Sequence, residues 1–319
     1  MANCHDLFQT FHDDKIVLTK AKREKLISAR DALEKKITNY FINEQEEKPP
    51  IFKEQGSFAM KTIINPIDDE YDIDHGVYLQ NLGSDMTKWP NPETVHGWII
   101  DAVTGHTDDD PTDKQTCVRV KYAGFYHADL PIYSTWNNNP FLAEKLPIGW
   151  HVSNAGDITK WFEREILVKG EQLRRIVRYL KAWADFNTKP GKLPCGFVLT
   201  VLADKSFTNN ERDDIAFVQT ASHILSQLRL SHSIANPVDA KEDLSKDRDD
   251  QIKNLQTRLT SLLKNAESAI READKKKAAE IWRKEFGDRF PIPDDTTTDD
   301  KPLKTSRHSI LGRDDARSA

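Results

Sequence analysis

Three aspartates carry the most chemistry per residue in this chain. Asp72 and Asp74 stand two apart at the head of the apolar run Gly76-Val77-Tyr78-Leu79. In an extended strand, residues two apart project from the same face, about 7 Å apart along the chain. Two carboxylates brought together out of bulk water repel, and one tends to hold its proton. A divalent cation relieves that repulsion, and magnesium in particular prefers carboxylate, water and phosphate oxygens. Asp129 lies in a second run of the same character, His127-Ala128-Asp129-Leu130-Pro131-Ile132-Tyr133. If the two strands lie side by side, the three acids meet and can hold two ions. One would lower the pKa of an attacking ribose hydroxyl, and the other would carry a triphosphate and its leaving pyrophosphate. An Asp-x-Asp pair alone is a weak sign, because Asp-rich segments are ordinarily solvated turns, and Asp68, Asp69 and Glu70 read that way.

A turn upstream adds weight to the carboxylates. Gln55-Gly56-Ser57-Phe58 follows the strand-like residues 51–53. Gly56 permits close backbone approach or a positive φ. Ser57 is expected to cap a short helix starting near Phe58, whose exposed N–H groups suit phosphate. Gly-Ser is common on its own; the order strand, Gly-Ser, short helix, Asp-x-Asp strand, third acid is not.

The elements that must position these residues can be outlined from spacing. Residues 19–41 predict a long amphipathic helix with Thr19 as N-cap, and the Glu- and Pro-rich residues 44–50 end it. Residues 71–79, 116–122 and 125–133 predict strands, with a helix over 91–103 between them and a solvated loop at 108–113. Beyond Tyr133 the chain reads as mainly helical: 158–168, 172–186, 197–203, 215–230 and a charged helix-prone stretch from 239 to 279. Trp282, Phe286 and Phe290 read as an aromatic anchor closing the helical part. Few apolar residues follow Pro293, which predicts a disordered tail. The expected organisation is a core lobe at 1–165, a helical lobe at 166–292 and a tail at 293–319.

Composition narrows the function. The chain has 319 residues, 30% of them charged, and a net charge of −5. That balance argues against a general nucleic-acid coat. No apolar run is long enough for a membrane span, and the N-terminus lacks the features of a secretory signal. Cys4, Cys117 and Cys195 match no zinc spacing, and so sparse a set suits a reducing cytoplasm. A cytoplasmic protein without a membrane partner is expected.

Taken together, these pieces resemble the polymerase-β-like nucleotidyltransferases. More closely, they resemble the cGAS/DncV-like nucleotidyltransferases of bacterial anti-phage (CBASS) systems. The resemblance rests on Gln55-Gly56-Ser57-Phe58, on Tyr71-Asp72-Ile73-Asp74-His75-Gly76-Val77-Tyr78 and on His127 through Tyr133. It continues with Trp161-Phe162, with Leu173 through Trp183, with Asn236-Pro237-Val238 and with the segment from Trp282 to Pro291. It implies an α+β fold: a nucleotidyltransferase lobe with a mixed sheet and helices, an α-helical lobe, and an active site in the cleft between them. It also implies that Asp72, Asp74 and Asp129 are catalytic metal ligands for two Mg²⁺ (or Mn²⁺) ions. Gln55, Gly56, Ser57 and Phe58 would hold the triphosphate, and Lys181 would reach the β- and γ-phosphates from the helical lobe.

The implied activity is synthesis of a cyclic dinucleotide such as cGAMP, or a cyclic trinucleotide, from ATP and GTP. The alternatives are a linear-product transferase of the 2′–5′ oligoadenylate or RNA-tailing kind, and an inactive scaffold acting through its tail. In many relatives the C-terminus is conjugated by a ubiquitin-ligation-like partner, and this tail is compatible with that. Two departures stand out. Cys195 sits where relatives commonly carry Ser, as a weaker donor or as a buried structural thiol. Ser153-Asn154-Ala155 replaces a common Ser-Asp-Pro. Nothing matches the zinc thumb of animal cGAS, so a double-stranded DNA activator is not expected. His75 and His127 flank the carboxylates; magnesium's preference for oxygen assigns them to hydrogen bonding nearby or in the core, with direct ligation the alternative.

Overall fold

A computed structural model describes residues 1–293 apart from Phe125 and Pro190. The tail expected at 293–319 therefore lies, Pro293 aside, outside the described residues.

The chain opens with α1 (His5–Phe11) and a π-helical turn, His12–Ile16. Then comes α2 (Lys20–Asn43), where the Thr19 hydroxyl accepts from the Lys22 N–H at 3.3 Å as the expected N-cap. β1 (Ile51–Gln55) leads straight into the one-turn helix α3 (Gly56–Ala59). β2 (Tyr71–Leu79), α4 (Pro92–Val103, capped by Asn91), the short β3 (Thr112–Asp113), β4 (Cys117–Tyr122) and β5 (Tyr126–Trp136) follow. These five strands run in the order β1-β2-β5-β4-β3, and β2 and β5 are parallel neighbours at the centre. α2 and α4 cover one face. There Ile73, Val77, Ala128, Leu130 and Ile132 are fully buried against Leu26, Leu33, Ile37, Val95 and Ile99. A mixed sheet so covered leaves its other face for the site.

Two expectations fail here. Residues after Tyr133 do not turn helical at once, because β6 (Asn139–Glu144) and β7 (Gly149–Val152) extend the sheet as antiparallel strands. Their short runs, broken by Asn, Pro and Gly, carry little alternation. Asp113, expected in a solvated loop, ends β3 and is bound by His96 Nδ1 at 2.7 Å.

The helical lobe comprises α5 (Ala155–Lys169), α6 (Glu171–Phe186), α7 (Gly196–Ser206), α8 (Asp213–Leu230), α9 (Asp249–Arg271) and α10 (Lys275–Phe286). Residues 239–248 precede α9 as turns and one isolated bridge, Ala235 with Asp243, rather than as helix. The first sixteen residues, expected with the sheet lobe, bury Leu7, Phe8, Phe11 and Ile16 in this lobe's core, as α5 does with Trp161 and Phe162. Phe8 meets Trp282 edge-on at 4.9 Å and Phe290 at 5.2 Å, so the aromatic anchor closes over the N-terminus.

α6 fastens the lobes together. Its residues Arg174, Arg178, Lys181 and Asp185 share one face. Arg174 Nε donates to the Met60 carbonyl (3.3 Å), Arg178 to that of Lys61 and Lys181 Nζ to that of Thr62 (3.2 Å). Asp185 accepts from the Ile67 N–H at 2.9 Å. The chain leaving the turn at Gly56 is thus held by the helix that carries Lys181.

Candidate active site

The parallel register of β2 and β5 places Asp72 beside His127 and Asp74 beside Asp129. Strand alternation turns all four toward the open face of the sheet, while Ile73 and Ala128 point to the core. Oxygens of Asp72 and Asp129 and a ring nitrogen of His127 lie within 4.8 Å of one another. Asp129 is also held from β4: Arg119, its register partner, donates Nε to Oδ1 and Nη2 to Oδ2, both at 2.7 Å.

Asp74 faces the other wall. A Cβ built on Gly56 would stand 1.9 Å from Asp74 Oδ2, and Gly56 has φ of +63°. Only glycine lets the turn lie directly on the carboxylate. α3 begins at Gly56 with Gln55 as N-cap and no side-chain cap, so Ser57 lies inside the helix and is not the cap expected from sequence.

The electrostatics follow from this crowding. Burial, reinforced by Asp72 and Asp129, pushes the Asp74 carboxyl up to about 7. Burial also raises Asp72, with Asp129 adding to the effect and His127 and Arg119 opposing it. The raised Asp72 and Asp74 carboxyls are short of positive charge, and carboxylate oxygens suit a hard divalent ion. The residues present therefore fit the expected metal.

One cleft of about 620 Å³ joins the turn and the carboxylates to the helical lobe. Gln55, Gly56, Ser57, Asp72, Asp74, Lys181 and Cys195 all line it. Lys181 is no surface cation: it is 9% exposed and donates to the Thr62 carbonyl and, at 3.0 Å, to its hydroxyl. Burial, against the attraction of Asp72, lowers its pKa to about 8. Cys195 is exposed and precedes α7 at the cleft wall, which removes the buried-thiol alternative. Gln55 is buried, its amide between the Tyr78 hydroxyl (3.1 Å) and the Tyr133 hydroxyl (3.2 Å), two rings stacked at 4.7 Å. Phe58 points away from the cleft into the sheet core, with the Arg23 guanidinium 5.1 Å from its ring centre.

Arg119, Thr62, Tyr78 and Tyr133 were not singled out from sequence. The signal for Arg119 was the alternation Val118-Arg119-Val120, which turns it to the face of Asp129. The same parity separates the two histidines. His75 is odd-numbered with Ile73, so it packs on Phe52 and bonds Glu34 at 2.7 Å behind the sheet. His127 shares the face of Asp129.

Comparison with known proteins agrees with this geometry. Residues 50–133 match the family model "Cyclic GMP-AMP synthase DncV-like, nucleotidyltransferase domain", and residues 170–299 match "Cyclic GMP-AMP synthase, C-terminal domain". The chain belongs to the DncV-like nucleotidyltransferases. A Cyclic GMP-AMP synthase of Escherichia albertii is 28% identical over 272 residues, which are 77% of this chain and 58% of that protein. The chain thus spans little more than half the length of that curated relative. Vibrio cholerae DncV bound to nonhydrolyzable GTP superposes with a TM-score of 0.77 at 18% identity, covering 91% of this chain and 97% of the other. Its 3′-deoxy ATP form gives 0.78 at 19%, covering 91% and 96%. At that identity the likeness is one of fold, and it fixes the DncV-like architecture of a sheet lobe, a helical lobe and the cleft between them. No helix among the described residues is long and apolar enough to cross a membrane.

Proposed function

We propose that this chain is a cyclic-oligonucleotide synthase that joins ATP and GTP, with release of pyrophosphate, into a cyclic dinucleotide such as cGAMP. The observation that carries the proposal is a cleft lined by Asp72 and Asp74, with a glycine turn pressed against Asp74 and a buried lysine opposite, and with Asp129 beside Asp74 on the neighbouring parallel strand. The E. albertii relative is named a Cyclic GMP-AMP synthase, and V. cholerae DncV has been captured with the linear intermediate 5′ pppA(3′,5′)pG, which support this choice of product.

Asp72, Asp74 and Asp129 would hold the divalent ions, Mg²⁺ or Mn²⁺. Bound there, such ions supply Lewis-acid charge for the attacking hydroxyl and the departing pyrophosphate. The turn at Gly56 and Ser57 receives the triphosphate from the sheet lobe. Lys181 meets it from the helical lobe, exchanging the Thr62 oxygens for phosphate oxygens. Asp74 must shed its proton before it can ligate, which its raised pKa sets near neutrality. The linear product then turns in the same cleft for the second transfer. The setting is cytoplasmic anti-phage defence, primed by conjugation of the C-terminal tail.

Incubation with ATP, GTP and Mg²⁺ or Mn²⁺, phosphatase treatment and mass spectrometry tests this. A phosphatase-resistant product of two nucleoside monophosphate residues is expected. A product that phosphatase trims is linear and assigns the chain to the oligoadenylate or tailing kind instead.

A further inference from the structure

We infer that His127 is a direct ligand in one of the two metal positions, giving that position a mixed carboxylate–imidazole set and a preference for Mn²⁺ over Mg²⁺. The inference rests on the metal-dependent function proposed above. It begins with an orphaned atom. His127 is 7% exposed, and its Nε2 is buried with no hydrogen-bond partner. A buried polar atom left unpaired is costly and calls for an explanation. Nε2 points into the carboxylate cluster, 3.7 Å from Asp72 Oδ2. Metal bonds of about 2.1 Å set donors about 3 Å apart when adjacent and about 4.2 Å apart when opposed, and the 3.7 Å gap falls inside that range. The full Asp72–His127–Asp129 set spans at most 4.8 Å, and Asp129, whose two oxygens both accept from Arg119, would turn one of them to the ion.

The other ring nitrogen supports the assignment. His127 Nδ1 faces Glu70 Oε1 at 3.8 Å. The negative charge of Glu70, beyond hydrogen-bond distance, favours the tautomer with its proton on Nδ1, leaving the Nε2 lone pair toward the cluster; a small movement of Glu70 would complete the carboxylate–histidine pair found behind metal-bound histidines. Asp74 is turned to the Gly56 wall and shares no such neighbour. The two positions therefore differ. The one between Asp74 and the turn is all oxygen and suits Mg²⁺, whereas the one between Asp72, His127 and Asp129 carries a nitrogen. Imidazole adds more to Mn²⁺ than to Mg²⁺ affinity.

The test uses the full-length, nucleotide-free protein with Mn²⁺ as probe. Electron spin-echo spectroscopy of the bound Mn²⁺ should show ¹⁴N modulation, replaced by the ¹⁵N pattern when histidine is ¹⁵N-labelled. The signal should vanish in His127→Gln and persist in His75→Gln. His127→Gln should weaken Mn²⁺ binding by about tenfold or more while changing Mg²⁺ binding, read by competition, far less. The labelling arm needs no variant, so a misfolded His127→Gln leaves the assignment open to refutation. Bound Mn²⁺ without nitrogen modulation would overturn the histidine ligand and leave the carboxylate site standing. Equal Mn²⁺ binding by wild type and Asp72→Asn/Asp74→Asn would overturn the catalytic site as well.

Discussion

Replacing Asp74 by Asn should stabilise the metal-free protein at pH 8 while destroying its activity. Asp74 is crowded by Asp72 and Asp129, and burial lifts its carboxyl from 3.8 to about 7. A carboxyl raised in the folded state contributes no penalty below pH 4, where both states hold the proton. Between pH 4 and 7 the unfolded chain releases its proton and the folded chain does not, so stability falls as pH rises and then levels off. At about 1.4 kcal/mol per pH unit the loss reaches a ceiling of about 4 kcal/mol. Solvent in the open cleft screens part of it. Asn is neutral throughout and nearly isosteric, so Asp74→Asn escapes the loss. Thermal unfolding in EDTA should place its Tm on the order of 5 °C above wild type at pH 8, with the difference vanishing toward pH 4. Magnesium should raise the wild-type Tm at pH 8 and leave the variant nearly unmoved. A variant that melts at or below the wild-type temperature at pH 8 would refute the picture of an under-compensated carboxylate.

Other consequences can be checked separately. Lys181 has its pKa lowered to about 8 in the free protein, so the Kd for a nonhydrolysable nucleoside triphosphate should rise as pH climbs through 8. Lys181→Met should bind at least about tenfold more weakly and lose that pH dependence; the loss of one charge-assisted contact is worth about 1.5–3 kcal/mol. Thr62 presents the hydroxyl that receives Lys181. Thr62→Val should therefore raise KM more than it lowers kcat, and Thr62→Ser should restore KM; equal effects from both would make the contact merely structural. Gly56→Ala places a methyl on Asp74 at a positive φ. It should cost about 1–3 kcal/mol of stability and abolish turnover, and an active Gly56→Ala enzyme would remove the turn from the site.

Much of the site could be read from the chain because its signals were local. Strand alternation alone puts Asp72 with Asp74 and sets Ile73 against the core, and Thr19, Asn91 and the spacing of α6 announce their helices. What brings Asp129 to the pair is the parallel register of β2 and β5, a pairing across more than fifty residues that no local pattern encodes. Arg119 entered the site through the same sheet. The lobe to which the first sixteen residues belong was hidden for a related reason: Leu7, Phe8 and Phe11 lie at helical spacing, but their partners Tyr179, Phe217, Trp282, Phe286 and Phe290 are more than 160 residues away. β6 and β7 are short, and their turns, with Asn137 and Asn138 at positive φ, are clearer than the strands themselves. The histidines show the limit from the other side: His75 directly follows Asp74, whereas His127 stands two before Asp129, and only that parity tells which one shares its acid's face.

The central claim is that Asp72 and Asp74, with Asp129, hold the ions that drive phosphodiester formation. Pyrophosphate release from ATP and GTP, measured side by side for wild type and a folded Asp72→Asn/Asp74→Asn variant, tests it most directly. Release by the wild type and none above background by the variant is the expected result; a variant that releases pyrophosphate at the wild-type rate would contradict it.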